Sequence, residues 1–231
     1  MARKDRVPNP PKRPQAPQRR QTQTDPAVAA RRRRNLLYGA GAAALVAVAI
    51  ILGAIFFSGS SPDERQALED AGCTLQTFPD QEGTHLRDLS AKPKWNSVPP
   101  TNGPHHEIPA IWGFYDSPVN LVKSVHNLEH GGIAIHLGPN VSDETVAQIR
   151  ELYDGDENGL LVAPLPTLTP KNAIALTAWT APERTGGGGD DGRGYLAKCT
   201  EFDEKAFSTF IEEHRYKGPE RFPPDRLRPG S

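Results

Sequence analysis

From Leu36 to Phe57 the chain runs LLYGAGAAALVAVAIILGAIFF, twenty-two residues without a charge. At about 1.5 Å rise per residue a helix of that length reaches roughly 33 Å, enough to cross a hydrocarbon core of about 30 Å. No other feature restricts the chain so strongly, because a segment of this kind has to leave water. The expectation is a transmembrane helix over 35–57. Arg31 to Arg34 abut its N-terminal end, whereas Ser58 to Glu64 (SGSSPDE) on the far side is neutral to acidic. The positive-inside rule then puts the N-terminus in the cytoplasm and everything after residue 57 outside the cell membrane, in a single-pass arrangement. A cleavable signal peptide is the competing reading, since small residues follow the apolar run. That run exceeds the usual 7–15 residues of a signal sequence, which favours a retained anchor. Gly39, Gly41 and the surrounding alanines give the helix a small-residue face of the sort that packs another membrane helix.

Charge is distributed in keeping with this topology. Residues 1–34 hold eleven Lys or Arg against Asp5 and Asp25, while the whole chain is nearly neutral at a formal net charge of −1. Six prolines and almost no large apolar side chains accompany the basic residues, so the tail has too little to bury to offset its ordering entropy and is expected to be disordered. Polybasic arms attract phosphate, but no aromatic residue interleaves these charges to stack on bases. The expected partners are therefore the lipid bilayer and a membrane or envelope protein, with no nucleic acid.

Beyond the apolar run the boundaries read as a juxtamembrane linker and short helix over 58–72, a globular domain over 73–217 and a loose, Pro-rich C-terminal tail over 218–231. The only cysteines are Cys73 and Cys199, both on the outer side, where an oxidising environment favours a disulfide. No CxxC pair of the redox type is present. Ser61 caps a helix beginning at Asp63 that Gly72 ends. Residues 79–119, dense in Pro, Gly and Asn, read as loops with short extended pieces. Periodicity gives a strand at Ile133–Leu137, a helix at Ser142–Tyr153 with Val146, Ile149 and Tyr153 on one face, and strands at Leu160–Pro164, Ala173–Trp179 and Tyr195–Cys199. A helix over Asp203–His214 with Phe207, Phe210 and Ile211 inward follows them. The fold class is α+β: a small mixed or antiparallel sheet with two or three helices.

Six of the seven histidines fall between residues 85 and 136. PPTNGPHHEIPAIWGFY (99–115) supplies His105 and His106, and HNLEHGGIAIH (126–136) supplies His126, His130 and His136. His126 and His130 share one face of a helical turn, with Glu129 beside them. Several imidazoles with a carboxylate suit a transition metal, zinc or copper foremost, so His105, His126, His130, His136 and Glu129 form the candidate ligand set. The sole Met is the first residue, which argues against a Met-rich copper(I) carrier. A second reading stays open, in which these histidines are structural and tie irregular loops to backbone carbonyls. His85 and His214 read as ordinary singletons. HNLEH also fits H-x-x-E-H, a zinc-peptidase pattern with the Glu as base, but Gly131-Gly132 ends the helix at once. The run GGGGDDGRG (186–194) has neither the ligand spacing of an EF-hand nor the GK[ST] of a P-loop and reads as a surface loop or hairpin.

PPTNGPHH, then WGFY, HNLEHGGIAIH, ALTAW and a late Cys before a Phe-bearing helix together resemble the DUF3105 family, bacterial membrane-anchored proteins of unknown function. The resemblance covers about Cys73 to His214. Where the family pattern has PPTSGPH, Asn102 here replaces the Ser, so no role of that hydroxyl carries over. The resemblance implies an address at the membrane and no reaction. Three functions stay in view: a non-catalytic membrane-anchored domain that holds a metal, an envelope scaffold with structural histidines and a metal-dependent hydrolase. An enzyme is the least expected of these.

Overall fold

The computed structural model describes residues 60–182 and 192–231. The basic tail, the apolar run and most of the glycine run lie outside the described residues. Among those described, no helix is long and apolar enough to cross a membrane.

Helix α1 (Pro62–Asp70) starts where the Ser61 hydroxyl accepts the Glu64 N–H at 3.1 Å, with proline at its first position. Gly72, at φ +68°, turns the chain directly into strand β1 (Thr74–Pro79). The next pieces are short: β2 (His85–Leu86), β3 (His105–His106) and β4 (Gly113–Phe114). Helix α2 (Leu121–Glu129) leads through Gly131 and Gly132 into β5 (Ile133–Leu137). Then come α3 (Asp143–Gly155), β6 (Leu160–Pro164), β7 (Ile174–Thr180), β8 (Arg193–Cys199) and α4 (Glu204–His214). Both α3 and α4 are capped as their sequences require, by Ser142 on the Thr145 N–H and by Asp203 on the Ala206 N–H.

Six strands form one mixed sheet in the order β1-β8-β7-β5-β6-β4, antiparallel from β1 through β5 and parallel from β5 to β4. A separate parallel pair joins β2 to β3 and sets His85 opposite His105. Alternation on the strands divides the core in two. Ile133, Ile135, Leu137, Ile174 and Leu176 pack with Leu68 of α1, Ile149 and Tyr153 of α3 and Phe207 and Phe210 of α4. Ala134, Leu161, Ala163 and Trp179 pack with Val125 and Leu128 of α2 and with Trp112. Helices thus cover both faces of the sheet, and each large apolar side chain fully buried this way contributes about 1.5–3 kcal/mol. Cys73 and Cys199 form the expected disulfide across the β1–β8 pair, 126 residues apart in sequence.

Two expectations need correction. The described residues hold four α-helices rather than two or three, the additional one being α2. Residues 218–231 are not loose. Pro224–Arg226 forms a 3-10 turn, Leu227 is fully buried in the second core, and the Trp112 backbone bonds to Gly230 and Ser231. Proline lacks an N–H but packs well, so a Pro-rich segment with one well-placed leucine docks without regular structure.

Candidate metal centre

Helix α2 builds one wall. Its Val125 and Leu128 face the sheet, and spacing of three and four residues then places His126, Glu129 and the C-cap residue His130 along its other edge. The opposite wall is the loop before β3, which several polar contacts hold rigid. Asn96 and Asn102 each donate to the Pro79 carbonyl, and Trp95 donates its indole N–H to the Pro104 carbonyl. Thr101 sits so close to β8 that a Cβ on Gly194 would fall 2.0 Å from its hydroxyl oxygen. The floor is Trp179 of β7, whose N–H donates to Asp80 at 2.7 Å and whose ring meets His105 edge-on at 5.9 Å.

Between these walls His85, His105, His126 and Glu129 each bring one ligand atom within 4.8 Å of all the others. His105 Nε2 lies 2.9 Å and His85 Nε2 3.4 Å from Glu129 Oε2. Four donors around zinc at about 2.0–2.1 Å are themselves about 3.3 Å apart, so these separations match the edges of a coordination shell. Gly83 leaves room for the carboxylate: a Cβ there would come 2.8 Å from Glu129 Oε1.

Tautomers follow from the partners of the far ring nitrogens. His105 Nδ1 is 2.8 Å from the Gly103 carbonyl, and His126 Nδ1 is 2.6 Å from the His106 carbonyl. A carbonyl only accepts, so both Nδ1 atoms carry a proton, which leaves Nε2 as the ligand atom of each ring. His105 is completely buried, and its Nε2 faces the Glu129 carboxylate at 2.9 Å with no other partner. Orientation of an imidazole by a backbone carbonyl behind it is the usual support of a metal-ligating histidine. Burial holds His126 below the ordinary histidine range and His130 down at about 4. Burial works to raise the Glu129 carboxyl, but the surrounding imidazoles, His105 foremost, outweigh it and keep that group below its usual value. Neutral His126 and His130 rings beside an ionised carboxylate suit a cation.

Of the residues singled out from sequence, His105, His126 and Glu129 come together. His130 stands at the edge of the set, its Nε2 3.0 Å from His126 Nε2, in a second group with Glu129 and Glu220. His136 belongs to neither group. It sits inside the sheet opposite Ala175, four residues along β7 from Trp179, which is roughly 13 Å away at about 3.3 Å per residue. His85, read as a singleton, is part of the site, and only its pairing with His105 across β2–β3 reveals it. His214 is no surface singleton either: it is buried, and its Nε2 lies 2.6 Å from Glu64 Oε1. His106 turns its ring to its own loop, where Nδ1 accepts the Ile108 N–H. The H-x-x-E-H pattern does not take its peptidase form, because Glu129 faces His85 and His105 among the candidate ligands and the helix stops at His130.

A family model described as a protein of unknown function, DUF3105, matches residues 88–226, well over half of the chain. The chain belongs to the DUF3105 family. The matched segment includes His105, His126, Glu129, His130 and Glu220, whereas His85 and Cys73 precede it. For this DUF3105 protein neither a curated protein nor a solved structure matches.

Proposed function

We propose that this chain is a membrane-anchored protein whose extracytoplasmic domain binds a divalent transition-metal ion, zinc or copper(II), through His85, His105, His126 and Glu129. One observation carries the metal reading: two buried imidazoles, each locked by a backbone carbonyl at Nδ1, bring ligand atoms within 4.8 Å of one another, of His85 and of the Glu129 carboxylate. A structural role accounts for the Nδ1 bonds, whereas a cation held by the His105 Nε2 and the Glu129 carboxylate accounts as well for their 2.9 Å approach in a buried site. The donor set has neither thiolate nor thioether, which fits zinc or copper(II) better than copper(I). The side chain of His85 is 47% exposed and opens the site to solvent on one side. The membrane reading rests on the uncharged run 36–57 and the arginines that precede it.

Elemental analysis of the purified full chain in detergent tests the metal. At least one tightly held zinc or copper per chain is expected, and His105→Ala with His126→Ala should reduce it to background with the fold retained by circular dichroism. A wild-type chain that folds and keeps no metal after equilibration with either ion supports the scaffold reading instead.

A further inference from the structure

The second group of potential ligands shares a residue with the first. Glu129, His130 and Glu220 bring ligand atoms within 4.8 Å of one another, and Glu129 belongs to both sets. His130 Nε2 lies 3.0 Å from His126 Nε2 and 3.8 Å from Glu220 Oε2, so the two sets adjoin through the helix edge as well as through the carboxylate. We propose that Glu129 bridges two cation positions, the second of which is held by Glu129, His130 and Glu220 and completed by water. This inference rests on the metal reading of the first set.

Glu220 reaches the site through a specific backbone arrangement. After α4, residues 216–222 run along the end of α2 and satisfy the carbonyls that a helix C-terminus leaves open. The Tyr216, Glu220 and Phe222 N–H groups donate to the carbonyls of Gly131, Glu129 and His130. A Cβ on Gly218 would come within 2.3 Å of the Glu129 carbonyl, so the segment lies this close only because residue 218 is glycine. Two of those bonds fix the backbone of Glu220 and Phe222 to the residues whose side chains form the second set. Phe222 then covers the His130 ring at 4.1 Å between centroids. The Glu220 side chain is 55% exposed, which leaves the second position on the solvent side of the first. Carboxylates dominate this position, with one imidazole, so it takes a divalent cation that accepts oxygen ligands and retains water, and it binds it more weakly than the buried set does.

Calorimetric titration of the full chain in detergent with Zn²⁺, paired with metal analysis after dialysis, decides the matter. Two equivalents are expected for the wild type, the second weaker. Glu220→Ala, a change at an exposed side chain, should weaken the second equivalent at least tenfold and leave the first within twofold. His130→Ala should do the same to the second equivalent. A wild type that takes one equivalent overturns the bridge and leaves the first site standing, as does a second equivalent indifferent to Glu220→Ala. No bound Zn²⁺ at all overturns both.

Discussion

At the scale of single residues, seven histidines have separate tasks that identity alone does not reveal. Three of them, His85, His105 and His126, face a common carboxylate, whereas His214 meets Glu64 between α1 and α4 and packs its ring on Tyr195 at 4.1 Å. His136 is fully buried, and burial holds it down at about 4 against an ordinary 6.5. The unfolded chain therefore takes up a proton at His136 below pH 6.5 that the folded chain refuses until about pH 4. Stability present above pH 6.5 is lost as pH falls through that window, by on the order of 3 kcal/mol at about 1.4 kcal/mol per unit. Urea denaturation at pH 7.5 and 4.5 should show a smaller drop in His136→Gln than in the wild type; an equal drop assigns the loss to other groups. His136 lies on the same face of β5 as Ala134, so its strand position was legible. Its distance from the cluster was not, because the order of strands in the sheet has no local signature.

At the scale of elements, the strands and capped helices followed from period and caps, while α2 did not. Its nine residues follow directly on the Pro-, Gly- and Asn-rich stretch, and a run this short is marginal as a helix by itself. It is stable because Val125 and Leu128 pack on the sheet and Asn127 bonds both backbone groups of Ala110. Pairing of β2 with β3 escaped for another reason: two-residue strands have no period, and only the rigid loop over residues 96–104 brings them together. The C-terminal segment likewise depends on a single apolar residue. Leu227 is fully buried beside Trp112 and α2, so Leu227→Ala should cost about 2–4 kcal/mol, as core truncations of this size do. Chemical denaturation measures the loss, and a change under about 0.5 kcal/mol would mean the tail is not part of the folded unit.

At the scale of the whole molecule, the sheet's two covered faces divide the work. One face carries the larger apolar core against α1, α3 and α4, and the Cys73–Cys199 bond closes its β1–β8 edge. On the chain-entropy model, closing a loop of 126 residues contributes on the order of 4–5 kcal/mol. The other face holds α2, the 96–108 loop and the docked C-terminal segment, which together surround the histidines. In the proposed arrangement this domain lies outside the membrane, where an oxidising environment keeps the disulfide. X-ray absorption of the zinc-loaded full chain at one equivalent reads the coordination shell of the proposed site. A site of three histidines and one carboxylate gives about four nitrogen or oxygen neighbours at roughly 2.0–2.1 Å with outer-shell scattering from three imidazoles, falling to two in His85→Ala. A first shell of waters without imidazole scattering, or a spectrum unchanged by His105→Ala, would contradict it.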